Sequence, residues 1–235
     1  MTSSILLMSC ENASQSDAPA PANIVNAKDH KAFWLWAGVK PQPVLDQAET
    51  VYILDSELRR GSSALTPLRP AVPAIRDADI WMVIRVETLA WSEATHKQLE
   101  QRLNLWARQN LLVGLQIDFD AATDGLEDYA RFLADLRQRL PDNVKLGITG
   151  LMDWSAQGDP EALAALGEVV DDIVIQTYQG RATITGYEAY LDRLARLDMP
   201  YHIGLVQHGE WQEPDTLRDD PDFQGYVVFL VNPAE

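Results

Sequence analysis

At 235 residues, 46% of them hydrophobic, the chain is long enough to bury a sizeable core as one domain with a tail. Its formal net charge of −16 argues against nucleic acid and against an anionic lipid surface, both of which demand a basic face. Neutral or cationic ligands fit better. No apolar run reaches the ~18 residues of a spanning helix, and the one cysteine, Cys10, excludes an internal disulfide and any cysteine-based metal cluster.

The chain opens on "ILLMSC", residues 5–10, which resembles the lipobox where bacterial lipoproteins are cleaved and acylated on cysteine. That resemblance implies a signal remnant over residues 1–10, lipidation at Cys10 and a periplasmic or outer-membrane-anchored address, with Glu11 leaning towards the outer membrane. The next segment, "ENASQSDAPAPAN", is too small, polar and proline-rich to build a core, so residues 11–31 are expected to be a flexible tether. The folded domain is expected over residues 32–235.

From residue 32 apolar runs alternate with amphipathic segments. Strands are predicted over 33–39, 50–54, 80–86, 112–119, 144–149, 172–178, 201–206 and 226–231, and helices over 92–110, 124–140, 160–169 and 186–198. Trp106 falls at helical spacing with Leu99 and Leu103 and belongs to the core. Strand and helix in alternation imply parallel pairing through right-handed crossovers. Eight such strands make an α/β fold, a small (β/α)8 TIM-like barrel. Residues 56–78, with Pro67, Pro70 and Pro73, carry no helical pattern and four residues follow the last strand, so some outer helices should be missing. An open parallel α/β sheet is the alternative, but neither "GITG" nor "GLVQHG" fits a nucleotide fingerprint.

On a barrel, inward residues at the C-terminal strand ends converge on the functional site. The segment "GLQIDFDAA", residues 114–122, points Gln116, Asp118 and Asp120 one way and Leu115, Ile117 and Phe119 the other. By the same period the third strand delivers Arg85 and Glu87, the fifth Thr149, and the sixth Gln176 and Tyr178, while Asp55 ends the second. Each alone has a structural explanation: Arg85 neutralises an acid, Glu87 caps the next helix, Asp55 belongs to a turn. Their co-location is what indicates a site. Asp118 and Asp120, one pleat apart, would repel each other if both were ionised. Trp91, Trp154 and Trp211 lie just after the third, fifth and seventh strand ends, in loops where ordinary packing and stacking on the flat face of a ligand are equally open to them. Trp36 would floor the pocket, and His208 stands within reach of substrate. The four histidines show no metal-ligand spacing, and HExxH and GxSxG motifs are absent. No metal or cofactor is therefore expected. A divalent cation on Asp118 and Asp120, completed by Asp55 or Glu87, is the alternative use of these oxygens.

"GLQIDFD" resembles the fourth-strand signature of family 18 glycoside hydrolases, the chitinases and their relatives. Gln116 stands at the first acid of that alternation, Asp118 at the acid that positions the substrate acetamide, and Asp120 at the proton donor, where the family has glutamate. "IQTYQ", residues 175–179, resembles the sixth-strand Met-x-Tyr-Asp element, with Tyr178 at the tyrosine and Gln179 replacing the aspartate. The block "QIDFDAATDGLEDYARFLADLRQRLP" followed by "LGITGLMDW" is similar to the bacterial family of domain of unknown function 3142, over most of residues 32–232. Together these resemblances imply a glycoside hydrolase-like barrel acting on a cell-surface or extracellular polysaccharide. Aspartate is one methylene shorter than glutamate, which disfavours substrate-assisted hydrolysis and leaves the two-carboxylate route open, with Asp120, kept protonated by repulsion from Asp118, as general acid and Glu87 or Asp153 as the partner carboxylate. A non-catalytic carbohydrate-binding barrel is the alternative, because relatives that have lost the donor become lectins. The expected partner is a glycan, the only membrane contact an anchor at Cys10, and the expected state a monomer.

Overall fold

A computed structural model describes residues 23–191, 193–194 and 199–233. Residues 1–22, and with them Cys10, lie outside the described residues. Eight parallel strands form the centre: β1 (Ala32–Leu35), β2 (Thr50–Leu58), β3 (Asp79–Val86), β4 (Leu111–Asp118), β5 (Lys145–Leu151), β6 (Asp172–Gln176), β7 (Tyr201–Val206) and β8 (Phe223–Phe229). They pair in chain order, and β8 pairs with β1 as β1 pairs with β2, so the sheet closes into a barrel. The open-sheet alternative is excluded by that closure.

Three helices of eight residues or more cover the outside among the described residues: α1 (Glu93–Ala107), α2 (Leu126–Arg139) and α3 (Pro160–Gly167). The helix predicted over 186–198 is a single turn, Glu188–Leu191, where described. Between β1 and β2 runs a 3-10 segment, Pro43–Gln47, and the proline-rich stretch after β2 adds a short antiparallel strand, Thr66–Pro67. Proline lacks the N–H a helix interior needs, so this side of the barrel has no outer helix, as expected. No helix among the described residues is long and apolar enough to cross a membrane.

Residues 23–31, expected to end the tether, are part of the folded unit. Asn23–Ile24 pairs antiparallel with Glu210–Trp211, and Val25 and Ala27 are buried. A short β-ladder and two buried apolar side chains outweigh the polar composition from which the boundary was read.

The period-two alternation sorts the core into two layers. Residues such as Ile53, Ile84, Ile117 and Ile148 face the helices, while Trp34, Tyr52, Leu54, Trp81, Val83, Val174 and Val227 fill the lumen. Two indoles fit there because glycine stands opposite. A Cβ on Gly114 would lie 2.4 Å from the Trp81 ring, and one on Gly204 would lie 2.7 Å from Trp34. The end of the lumen away from the C-terminal strand ends is closed by a buried polar group: Asp172 accepts from the Tyr52 hydroxyl at 2.8 Å and faces His202 Nδ1 at 2.7 Å. The lumen is therefore a packed core, and only its C-terminal mouth is open to chemistry.

Candidate active site at the barrel mouth

Strand β4 ends at Asp118 and the chain turns outward at Phe119, which gives the two carboxylates different environments. Asp118 is 7% exposed and lies in the lumen beside Thr149, whose hydroxyl donates to its Oδ1 at 3.0 Å. Arg85 Nε stands 3.9 Å from Oδ2, but that arginine side chain is 53% exposed and most of its field is screened by water. Burial dominates and holds the Asp118 carboxyl up at about 6; the Thr149 hydrogen bond and Arg85 pull it down, and Asp120 pushes it up. Asp120 itself is exposed. Asp120 is the smallest of these four influences, so the repulsion expected within the pair is present but minor. The raised pKa belongs to Asp118, because it is the inner residue that loses its water.

A cleft of about 200 Å³ opens over the pair, lined by Arg60, Arg85, Val86, Glu87, Asp118, Phe119 and Asp120. Four predicted site residues meet here: Arg85, Glu87, Asp118 and Asp120. Glu87 is fixed by the Arg60 backbone N–H, which donates to its Oε2 at 3.1 Å. Arg60 gave no signal in the sequence, since it lies in the stretch without periodicity. Across the mouth, Trp36, Tyr178 and Phe229 form a half-buried aromatic group, with Trp36 and Tyr178 ring centroids 5.4 and 5.2 Å from Phe229. Tyr178 is held protonated well above the usual phenol range, first by burial and then by the field of Asp118. Gln176 stands half-buried beside it.

Other expected site residues lie elsewhere. Asp55 follows the outward parity of Val51 and Ile53 and sits under α1, fully buried, where it binds the Arg102 guanidinium and accepts from Trp106 Nε1 at 2.8 Å. Being at the end of a strand did not put it on the inner face. Gln116 points inward but too deep: it is fully buried, with Oε1 accepting from Trp34 Nε1 at 2.7 Å. Asp153 sits in the turn after β5 and does not line the cleft. Trp154 is fully buried and donates from Nε1 to the Ala121 carbonyl at 2.9 Å, stapling two loops. Trp211 is also buried, stacked on Tyr187 at 4.5 Å. An indole wedged against a loop has no free face, so neither can stack on a sugar. Trp91 lies off the mouth, against Phe132 of α2, and exposed His208 lines a separate cleft by the loops after β6 and β7. Thr149 and Tyr178 stand where the alternation put them, while Trp36, expected to floor the pocket, packs on Phe229 and does not line the cleft over the acids.

No cation need be invoked for Asp118, whose burial and threonine partner account for its state. Among the described residues no group of three or more His, Cys, Asp or Glu could hold a metal ion.

A family model matches residues 77–209, more than half of the chain. The chain belongs to the family described as Domain of unknown function (DUF3142). The matched stretch of this DUF3142 barrel runs from just before β3 to just after β7 and contains both carboxylates. A comparison with curated proteins by sequence gives no match. Solved structures share its fold. The Bacillus cereus spore cortex-lytic enzyme SleL is 18% identical with a TM-score of 0.55, covering 80% of this chain and 52% of its own. The chitinase domain of the Clostridium difficile spore coat protein CotE is 14% identical with a TM-score of 0.54, covering 81% and 67%. A tamarind chitinase-like lectin is 11% identical with a TM-score of 0.54, covering 85% and 94%. The DUF3142 chain spans about half the length of the cortex-lytic enzyme. Enzymes and a lectin therefore share this chitinase-like barrel, and the architecture alone does not choose between them.

Proposed function

We propose that the DUF3142 barrel hydrolyses glycosidic bonds in a neutral or amino-sugar glycan, with Asp118 and Asp120 as its acid/base pair. The observation that carries this reading is Asp118, a buried carboxyl held at about 6 at the mouth of the barrel, lining the same cleft as exposed Asp120. Such a carboxyl keeps its proton at mildly acidic pH and can give it up as a leaving-group oxygen develops charge. Asp120 meets solvent and substrate and acts as base towards water, while Arg85 steadies the anion left on Asp118. Trp36 and Tyr178 offer the sugar an apolar wall opposite the carboxylates.

The test is hydrolysis of a panel of fluorogenic β-glycosides and chitin-, glucan- and peptidoglycan-derived oligosaccharides across pH. Turnover should fall as pH rises through about 6, where Asp118 loses its proton, and Asp120→Asn should lower it by ~10²-fold or more. A wild-type rate in Asp120→Asn, or a profile flat across that range, would overturn the assignment.

A second reading is favoured by one observation: the cleft over the acids is only about 200 Å³, which leaves little room for a sugar ring beside both carboxylates. Saccharide binding at the mouth with no turnover of any panel member would select this reading, a glycan-binding barrel.

A further inference from the structure

The loop from Glu87 to Trp91 leaves the mouth and delivers Trp91 to a groove between the N-terminal halves of α1 and α2. This groove, of about 420 Å³, is lined by Leu89, Trp91, His96, Asp128, Arg131, Phe132 and Asp135. Trp91 is fixed on three sides. Its Nε1 donates to the Thr88 carbonyl at 3.1 Å, its ring packs against His96 at 5.4 Å, and Phe132 meets it edge-on at 5.2 Å. The contact with His96 joins the residue before the Ser92 cap to the fourth residue of α1, and the cap is a full capping box, so the helix start itself locks the indole. Yet the ring is only partly covered and forms a wall of the groove.

The polar groups opposite are solvent-facing ion pairs. Arg131 pairs with Asp128, and Arg139 Nε holds Asp135 Oδ2 at 2.9 Å. His96 Nε2 lies 4.0 Å from that same Asp135 oxygen, while His96 Nδ1 is buried with no hydrogen-bond partner. A rigid aromatic face beside two oriented carboxylates and a guanidinium is a donor and acceptor set suited to a pyranose ring. The apolar sugar face lies on the indole, and hydroxyls donate to Asp128 and Asp135 and accept from Arg131. Because the indole is already held in place, its ordering on binding costs little.

We propose that this α1–α2 groove is an accessory saccharide-binding site, separate from the catalytic mouth, that holds one ring of a neutral or N-acetylated β-linked glycan on Trp91. The inference rests on the glycan-acting reading of the mouth and extends it: the loop 87–91 connects the two sites, so one polymer chain occupies both while a short oligosaccharide fills only one.

Titration of the full chain with chitohexaose and cellohexaose, read by calorimetry and tryptophan fluorescence, tests this. Trp91→Ala should weaken binding of at least one hexaose by about tenfold and leave turnover of a short fluorogenic glycoside unchanged. Trp91→Phe, which keeps an aromatic ring against His96, should retain most of the affinity. Asp128→Asn together with Asp135→Asn should weaken binding without touching the staple, which keeps the test valid even if Trp91→Ala perturbs α1. Hexaose binding that all three variants leave unchanged, or no hexaose binding at all, would overturn the accessory site. Trp91-dependent binding in a wild-type protein that hydrolyses nothing would support it and would instead remove the catalytic reading. Hydrolysis at the mouth with no Trp91-dependent binding would do the reverse.

Discussion

Replacing Asp118 by asparagine should stabilise the barrel at neutral pH and leave it unchanged at acid pH. The carboxyl has an ordinary value of 3.8 and is held at about 6 in the folded protein. Below pH 3.8 it is protonated in both states, so burial of the ionised form costs nothing. As pH rises towards 6 the unfolded chain releases its proton first, and stability is lost; above about 6 the loss is complete. A gap of about 2.2 pH units at about 1.4 kcal/mol each puts that loss near 3 kcal/mol. Asparagine removes the charge and keeps an acceptor for the Thr149 hydroxyl. Against this gain stand the new amide N–H groups, which need partners and cost about 1–2 kcal/mol where they find none; the weak contact with Arg85, at 3.9 Å and 53% exposure, is already contained in the raised value.

The net expectation is a variant more stable by about 1–2 kcal/mol near pH 7.5, a rise of roughly 2–8 °C in Tm, with the difference vanishing as pH falls well below 3.8. Urea unfolding of both proteins at several pH values measures it, since a change in midpoint without a change in slope reads stability alone. An asparagine variant that is less stable at pH 7.5 would refute the reasoning. It would mean that the Asp118 anion is held by Arg85 or by a cation strongly enough to overcome its burial, and the carboxyl would then be ionised at the pH where a general acid is needed.

Asp55→Asn should behave in the opposite way, losing about 3 kcal/mol at neutral pH because it strands the Arg102 guanidinium, only 19% exposed, beneath α1; a melting temperature equal to wild type would remove that ion pair from the account. Gly114→Ala should cost about 3 kcal/mol or more, since its Cβ meets the Trp81 ring at 2.4 Å, and Trp81→Phe in the same chain should recover part of the loss; thermal melts of the three proteins decide. The lipobox resemblance predicts palmitate labelling in a Gram-negative host when residues from Cys10 onward are expressed behind a lipoprotein signal, and its loss in Cys10→Ser; labelling that survives the substitution would withdraw the anchor.

The barrel could be read from the sequence and its site only in part, because the two depend on different things. Strand order comes from alternating apolar runs and short crossovers, features local to the chain. Asp118, Thr149 and Tyr178 were placed on the inner face by parity alone, and parity survives folding wherever a strand stays regular. Parity also gives the opposite answer for Asp55: Val51 and Ile53 face the helices, and so does Asp55, while a register shift between Leu54 and Ser56 against β3 then resets the alternation. The expectation failed there because position at a strand end was used where the face should have been counted.

Depth is a different quantity from direction. Gln116, Asp118 and Asp120 share one direction in an extended chain, yet the first is sealed beneath Trp34, the second lies just inside the mouth and the third is in water. They are separated by where β4 stops, at Asp118, relative to a ring of seven other strands, and no local pattern encodes that height. The raised carboxyl of Asp118 has the same origin, because it lies below the rim and burial is the largest of the influences on it. The tryptophans obey the same logic, since whether a loop indole faces sugar or core depends on which loop packs above it. Trp154 bonding to Ala121 and Trp91 resting on Phe132 are contacts between segments 33 and 41 residues apart. A site built from such contacts can be named from sequence by residue type and direction, while the assignment of acid, base and sugar platform waits for the heights.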